Sequence, residues 1–160
     1  MGEGNRRDYE RAIEEIRAVS AGESDAVANL ANAAAILFER LPFSWVGFYR
    51  VVGEELVLGP FQGRPACVRI ARGRGVCGSA WDAGEVLVVP DVHAFEGHIA
   101  CDPLSRSEVV LPLRTPRGVV WGVLDIDSDR VNDFGEEDVA QLRRVAALVE
   151  RIISRDSSFA

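Results

Sequence analysis

The chain contains no lysine: all 18 of its basic residues are arginine. It therefore cannot form a Schiff base with a carbonyl substrate, and it lacks the lysine of the phosphate-binding P-loop. Long hydrophobic runs are also missing. No stretch approaches the ~20 apolar residues of a membrane-spanning helix, and the first residues (MGEGNRRDYERAIEEIR) contain no apolar core of a signal peptide. The sequence predicts a cytoplasmic protein with no membrane partner.

Acidic residues outnumber basic ones by 25 to 18, which gives a formal net charge of −7. Affinity for nucleic acids comes largely from clustered cations, so this balance argues against a nucleic-acid partner. The composition, with 48% hydrophobic and 27% charged residues, is that of a folded globular protein. The length predicts one domain over residues 1–160.

Hydrophobic periodicity predicts two helices at the amino-terminal end of the chain. Apolar residues recur at helical spacing over residues 8–19 and again over Ser24–Arg40. Ser24 is the expected N-cap of the second helix, and Val27 is expected on its apolar face. Residues 1–23 are interpreted as an N-terminal helical extension of the domain.

Two further helices are predicted downstream. A glycine-rich loop opens a short helix within Gly73–Gly84, and Asp133, three residues before Glu136, resembles a capping box at the start of the last helix. Residues 154–160 are expected to be a frayed tail.

Between the helices the sequence is rich in β-branched and aromatic residues. It predicts strands over Ser44–Val52, Glu54–Gly59, Cys67–Ala71, Glu85–Pro90, Ser107–Leu113 and Val119–Asp127. Helices at both ends of an antiparallel sheet give an α+β arrangement. Asp91–Arg106 is predicted to be an irregular loop, and loops of this length in compact domains are usually functional or disordered.

The three cysteines form no CxxC pair and are odd in number, so they do not predict a structural disulfide framework in a reducing compartment. They are reactive, metal-binding or simply buried. Cys101 lies in the irregular loop, and Cys67 lies at a sheet margin. Cys77 lies in the first turn of a helix behind Arg74, where the helix dipole and a cation are expected to lower the pKa of the thiol.

Two histidines share the loop with Cys101. A zinc site could use His98, Cys101 and two of Cys67, Cys77 and His93, although the spacing fits no known zinc module. Alternatively, each histidine is a loop residue that hydrogen-bonds to the backbone, or His98 orients Cys101.

Carboxylates project from one predicted strand. Asp125 and Asp127 are two residues apart and therefore point to the same face, and Glu108 adjoins them if the last hairpin pairs in register. One interpretation is that both aspartates lie beyond the strand end and are solvated beside Ser128. The other is that the buried carboxylates bind a cation such as a ligand ammonium group.

An aromatic pair lies on the first long strand. Trp45 and Tyr49 are four residues apart and share one face, with Gly47 between them. Such a pair usually belongs to the core. The missing side chain at Gly47 alternatively predicts a gap between two rings that suits a small apolar or sulfur-containing group.

A block of motifs carries a family resemblance. The run GPFQGRPACVRIARGRGVCGSA, then VVPDVHAFEGHIACDPLSRSEVVLPL and GVLDIDS, resembles the free methionine-R-sulfoxide reductases, which are stand-alone GAF-domain enzymes. The match covers roughly residues 29–152. The resemblance implies a six-stranded antiparallel sheet with the terminal helices on one face and a closed pocket on the other. It also implies reduction of free L-methionine-(R)-sulfoxide, with a thioredoxin-type reductant and neither metal nor cofactor.

The resemblance also implies roles for particular residues. The nucleophile falls on Cys101, its resolving partner on Cys67, and a second thiol of variable role on Cys77. The substrate-binding acids fall on Glu108, Asp125 and Asp127, and the aromatic wall falls on Trp45 and Tyr49. An ammonium group suits this acidic trio, and Glu108 or an aspartate is the expected proton donor.

One departure and several alternatives remain. Glu96 stands where the family usually has proline, which we expect to alter closing of the loop rather than the chemistry. Cys77 is a rival nucleophile because of its helix start. The main alternative function is a non-catalytic GAF sensor of a small ligand, although 160 residues leave no room for an output domain. A homodimer is left open.

Overall fold

Helices and strands follow one another in the predicted order. The computed structural model describes residues 7–99 and 101–160; residues 1–6 of the predicted extension and Ala100 of the GHIACD motif lie outside the described residues. The helices in the described part are α1 (Tyr9–Val19), α2 (Ala26–Arg40), α3 (Gly75–Ala83) and α4 (Glu136–Ile153). The strands are β1 (Trp45–Val52), β2 (Glu55–Gln62), β3 (Arg69–Ala71), β4 (Leu87–Val89), β5 (Ser107–Arg114) and β6 (Val120–Ser128). No helix among these residues is both long and apolar enough to cross a membrane.

The strands form one antiparallel sheet in the order β3-β2-β1-β6-β5-β4. β1 and β6 are central, and each has a strand on both sides. The predicted α+β class with a six-stranded antiparallel sheet is confirmed. Because paired residues in an antiparallel sheet point to the same face, the register decides which side chains meet.

One face of the sheet is covered by α1, α2 and α4. Val46 and Phe48 of β1, and Leu124 and Ile126 of β6, point to this face and are fully buried in an apolar core. Leu142 of α4 packs into the same core. Side chains alternate along a strand, so the residues between these positions point to the opposite face.

The opposite face carries α3 and the loop that follows β4. Val76, Ala80 and Trp81 of α3 are buried with Leu56 and Ile70 of the sheet in a second, smaller core. The predicted placement of the terminal helices on one face is confirmed, and α3 lies on the other. The predicted site residues Trp45, Tyr49 and Cys77 lie in this second core.

The start of α2 differs from its prediction. The carboxylate of Asp25, rather than the hydroxyl of Ser24, accepts the N–H of Ala28 at 2.9 Å and forms the N-cap. Val27 is 64% exposed, so its predicted place on the apolar face is wrong. The buried face is set by Leu30 and the residues that follow it at helical spacing, and Val27 points away from it.

The start of α4 also differs from its prediction. Its cap is the carboxylate of Asp138, which accepts the N–H of Gly135 at 2.9 Å. Asp133 does not cap the helix, because its carboxylate oxygens are taken by the guanidinium of Arg7 at 2.6 Å and the hydroxyl of Ser128 at 2.5 Å. Asp133 therefore ties the amino-terminal residues to the end of β6.

The carboxyl-terminal residues fold back onto the domain. A short 3₁₀ turn over Ser157–Phe159 follows α4. The ring of Phe159 packs edge-on against Trp121, with 5.2 Å between the ring centroids. This contact lies within residues 154–160, for which a frayed tail was expected.

Gly78 allows α3 to approach the end of β3. A Cβ atom at position 78 would lie 2.6 Å from the carbonyl oxygen of Ala71 and 3.2 Å from the nitrogen of Gly73. Both neighbours are backbone atoms in hydrogen bonds: Ala71 accepts the N–H of Arg74 at 3.1 Å, and Gly73 donates to the carbonyl of Gly78 at 3.0 Å. The contact therefore cannot relax by a side-chain rotation.

We expect Gly78→Ala to lower the free energy of unfolding by about 1–3 kcal/mol, the usual cost of overpacking. On an unconstrained helix the same change would raise stability by up to ~1 kcal/mol, so the sign is diagnostic. Urea unfolding followed by circular dichroism measures it. Ser79→Ala, at the next and half-buried position, is the control and should change stability by less than about 0.5 kcal/mol. A gain for Gly78→Ala would contradict the packing of α3.

Candidate active site

Three carboxylates lie side by side on the sheet face that carries α3. In the strand register Glu108 is opposite Asp127, and Asp127 is opposite Trp45. Asp125 is two residues earlier on β6 and points the same way. The exposed fractions of Glu108, Asp125 and Asp127 are 7%, 5% and 7%. The interpretation that the aspartates lie beyond the strand end is wrong, because β6 continues through Ser128 and both are buried.

Burial without a cation decides the protonation of this acidic trio. Among the described residues, none of the ion pairs includes Glu108, Asp125 or Asp127. Burial, followed by repulsion from Asp125, raises the pKa of Glu108 and of Asp127 well above the usual carboxyl range. Burial also raises the pKa of Asp125, but hydrogen bonds from its neighbours oppose that shift. Asp125 is thus the member best able to remain ionised beside two protonated acids.

Two oxygens of the trio have no partner. The Oδ1 atoms of Asp125 and Asp127 are buried and make no hydrogen bond with the described residues. A buried polar atom without a partner costs about 1–3 kcal/mol. Both aspartates line a cavity, so a ligand in this cavity could supply the missing donors.

The cavity is small, at about 40 Å³. A space of this size holds at most about three waters. Trp45, Tyr49, Cys77, His98, Cys101, Asp102, Ser105 and the acidic trio contribute to its lining. The cavity thus brings together every residue to which the family resemblance assigns a role except Cys67, which is bonded to Cys101.

Two buried polar lining residues were not predicted. Asp102 and Ser105 are 8% and 4% exposed, and the Oγ of Ser105 is buried without a hydrogen-bond partner. Their closeness to Cys101 in the irregular loop is the signal that could have identified them. Sequence alone did not indicate that this polar loop buries these two polar side chains.

The aromatic wall is present, but its arrangement differs from the expected one. The rings of Trp45 and Tyr49 are 6.2 Å apart. The indole N–H donates to the carbonyl of Arg64, and the Tyr49 hydroxyl donates to the carbonyl of Cys67, both at 2.9 Å. The predicted open gap at Gly47 is wrong, because a Cβ there would lie 2.4 Å from the Trp45 ring. Gly47 makes room for the indole itself.

Cys67 and Cys101 are joined by a disulfide, with 5.3 Å between their Cα atoms. The prediction that this strand starts at Cys67 is wrong, because β3 begins at Arg69 and Cys67 lies before it. Both cysteines are half-buried, so solvent reaches the disulfide while Cys101 also lines the cavity. The pair is the one that the family resemblance implies, and Tyr49 fixes the backbone at one of its ends.

Cys77 lies in the first turn of α3 as predicted, but the pKa of its thiol is raised and not lowered. Burial is the largest cause, and the charges of Asp125 and Glu108 add to it. The thiol is 3.9 Å from Oε2 of Glu108, whereas Arg74 is exposed. A helix terminus stabilises a thiolate by about 0.3–2 kcal/mol. Full burial can shift a pKa by about 3–5 units, at about 1.4 kcal/mol per unit, so the effect of burial on the thiol is the larger one.

The histidine cluster does not form the zinc site considered from the sequence. Cys67 and Cys101 are bonded to each other and are not available as thiolate ligands. The rings of His93 and His98 are 6.4 Å apart. Burial and then the nearby His93 lower the pKa of His98, which keeps its imidazole neutral near pH 7.

Comparison with known proteins identifies the family. The model of the GAF domain matches residues 25–153, which is most of the chain. The chain belongs to the GAF domain family. The match begins near α2, so α1 lies outside the part that defines this GAF domain.

Three relatives resemble this GAF domain over most of their length. It is 49% identical over 141 residues to the free methionine-R-sulfoxide reductase of Escherichia coli (strain K12), covering 88% of this chain and 85% of that one. It is 52% identical over 143 residues to GAF domain-containing protein A of Dictyostelium discoideum, covering 89% and 90%. The crystal structure of the free methionine-R-sulfoxide reductase from Neisseria meningitidis with its substrate has a TM-score of 0.92 and 45% identity, covering 100% and 97%. The resemblance found in the motifs is confirmed.

The acidic trio makes stability depend on pH. Ordinary carboxyl groups titrate near 3.8 for Asp and 4.5 for Glu, while the folded pKa values of Glu108 and Asp127 are raised. Above pH 4.5 the folded state therefore holds protons that the unfolded state has released. The free energy of unfolding then falls as pH rises, by about 1.4 kcal/mol per pH unit for each extra proton.

We expect Glu108→Gln and Asp127→Asn each to flatten this fall between pH 5 and 8, because each removes one proton site. Urea unfolding of the disulfide-bonded protein at four pH values measures the slope. Glu85→Gln, which alters an exposed carboxylate, should leave the slope as it is in the unchanged chain. Identical slopes in all four proteins would mean that the trio is ionised when buried.

Proposed function

We propose that this protein reduces free L-methionine-(R)-sulfoxide to L-methionine. The observation that carries the proposal is a disulfide between Cys67 and Cys101 beside a cavity lined by three buried carboxylates that form no ion pair with any described residue. A redox-active thiol pair and an unpaired acidic trio suit a small oxidised substrate that carries a positive charge. Relatives with up to 49% identity that are named free methionine-R-sulfoxide reductases support the same activity.

The acidic trio would select the free amino acid. Its ammonium group can donate to the unpartnered Oδ1 atoms of Asp125 and Asp127, while its methyl-sulfur end packs against Trp45 and Tyr49. A methionine residue inside a peptide has no ammonium group at this position. It would leave the carboxylates unpaired, and such a penalty on the wrong ligand gives strong selectivity.

Cys101 would be the nucleophile. Its thiolate attacks the sulfoxide sulfur, and protonated Glu108 donates a proton to the sulfoxide oxygen. The oxygen is transferred to Cys101, which becomes a sulfenic acid, and methionine leaves with the sulfur reduced by two electrons. The Cys67 thiol then attacks the sulfenic sulfur; the disulfide forms and the oxygen leaves as water.

A thioredoxin-type dithiol would complete the cycle. It reduces the Cys67–Cys101 disulfide by thiol–disulfide exchange and becomes oxidised in turn. The half-buried position of both cysteines gives such a partner access. This cycle suits the reducing cytoplasm. Whether the protein forms a homodimer is a separate prediction.

The disulfide-bonded state would be closed to substrate. A cavity of about 40 Å³ is small for a whole amino acid, so we expect reduction of the disulfide to release the loop that carries Cys101. Glu96 is exposed in this loop, and its effect on opening stays a prediction.

The activity is tested by following methionine sulfoxide with dithiothreitol as reductant and chiral chromatography as the readout. We expect loss of the free R epimer, with the free S epimer and a peptide sulfoxide left intact, because only the free R form meets both the thiol and the acidic trio. Binding of methionine sulfoxide without turnover would favour a sensor instead. Equal reduction of the peptide sulfoxide would exclude selection by the ammonium group.

Serine variants distinguish the proposed roles of Cys101 and Cys67. We expect Cys101→Ser to abolish turnover, since no sulfur remains to accept the oxygen. Cys67→Ser should give about one methionine per chain and then stall with thioredoxin, because the sulfenic acid has no resolving partner. Single-turnover and steady-state assays, with mass mapping of the first oxidised cysteine, measure this. Multiple turnovers by Cys101→Ser, or a first sulfenic acid on Cys77, would refute the assignment.

A further inference from the structure

The proposed reaction assigns no role to the buried thiol of Cys77. Cys77 is 4% exposed and lies in the same cavity, and its Sγ is 3.9 Å from Oε2 of Glu108. Binding an ammonium group requires oxygen acceptors but no sulfur. The proposed electron transfer uses Cys101 and Cys67, so the third thiol adds a different kind of ligand to the cavity.

A thiol and two carboxylates converge here. One ligand atom from each of Cys77, Glu108 and Asp125 lies within 4.8 Å of the other two. The unpartnered Oδ1 of Asp125 is buried at the same place. Asp127 is paired with Glu108 in the strand register and carries a second unpartnered oxygen. The set offers one sulfur and up to three carboxylate ligands.

We propose that Cys77, Glu108 and Asp125 bind a zinc ion, with Asp127 or water as the fourth ligand. Thiolate and carboxylate are both ligands of tetrahedral zinc, whereas magnesium and calcium prefer oxygen alone. The ion would occupy the place proposed for the substrate ammonium and exclude it. The zinc site shares its residues with the proposed function, but its existence does not depend on any turnover.

The geometry requires only a small adjustment. Two ligand atoms of a tetrahedral zinc ion are about 3.5 Å apart, given bond lengths of about 2.0–2.3 Å. Sγ of Cys77 and Oε2 of Glu108 are close to this separation at 3.9 Å. The other ligand atoms of Cys77, Glu108 and Asp125 lie within 4.8 Å of one another, so they would have to approach by at most about 1 Å. The cavity of about 40 Å³ is too small for an amino acid but holds an ion with a water.

Charge favours the same occupant. A divalent cation would neutralise carboxylates that have no positive partner among the described residues. Zinc also displaces protons from its ligands, so its binding should release protons to the buffer. The chief rival on the surface is the pair His93 and His98, which is closer to solvent.

The test uses the full chain with the Cys67–Cys101 disulfide intact, so that Cys77 is its remaining thiol. Zinc chloride is titrated calorimetrically in two buffers that differ in ionisation enthalpy. We expect one zinc per chain with proton release, and at least tenfold weaker binding for Cys77→Ser and for Asp125→Asn. His93→Ala is the control and should bind as the unchanged chain does. Cadmium should give a sulfur-to-metal charge-transfer band that Cys77→Ser lacks.

Three outcomes would overturn the site: no saturable zinc binding, equal binding by Cys77→Ser and Asp125→Asn, or loss of binding in His93→Ala. Circular dichroism verifies that each variant is folded. If Cys77→Ser does not fold, the zinc titration of Asp125→Asn decides the test. Reduction of the free R sulfoxide in metal-free buffer is measured separately. Turnover without zinc binding would refute this inference alone, and zinc binding without turnover would refute the proposed activity alone.

Discussion

Three carboxylates that are buried together and form no ion pair within the described part of the chain are the constraint around which this site is organised. Burying one ionised carboxylate costs several kcal/mol, and a second ionised neighbour adds repulsion. A whole domain is stable by only about 5–15 kcal/mol, so the trio cannot be fully ionised in the empty protein. The raised pKa values of Glu108 and Asp127 favour their protonated forms, whereas hydrogen bonding from its neighbours favours the ionised form of Asp125.

The sheet holds the acidic trio in place and is itself stabilised by a separate apolar core. β1 and β6 are central and lock the register over many residues, so Trp45, Asp127 and Glu108 are held in one row across three strands. The apolar core on the helix face contains none of the trio and stabilises the sheet independently. The free-energy cost of burying polar groups on one face is therefore offset by apolar residues that lie outside the candidate site.

Local sequence rules were sufficient for part of this structure. Alternation along a strand placed Asp125 and Asp127 on one face, and hairpin pairing added Glu108, because both follow from backbone geometry alone. The family resemblance, rather than spacing, supplied the pairing of Cys67 with Cys101. Cysteines 34 residues apart in sequence can be joined only if the fold brings them together, and no local pattern encodes this.

The wrong predictions share a physical cause. The gap at Gly47 and the lowered pKa at Cys77 were inferred from neighbours in sequence, whereas the deciding neighbours come from elsewhere. The indole of Trp45 turns back over Gly47, and burial under the strands outweighs the helix terminus at Cys77. Ser24 lost the N-cap to Asp25 because two adjacent capping residues compete, and sequence does not rank them.

Selection of the substrate and supply of the proton follow from one charge balance. In the proposed reaction an ammonium group brings one positive charge to a trio that holds one ionised carboxylate, so binding neutralises Asp125 without removing protons from Glu108 or Asp127. Glu108 can then give its proton to the sulfoxide oxygen. A ligand without the ammonium group would leave Asp125 as an uncompensated buried anion. In this proposal the ionised Asp125 that would disfavour a peptide is also the neighbour whose charge holds a proton on Glu108 before the substrate binds.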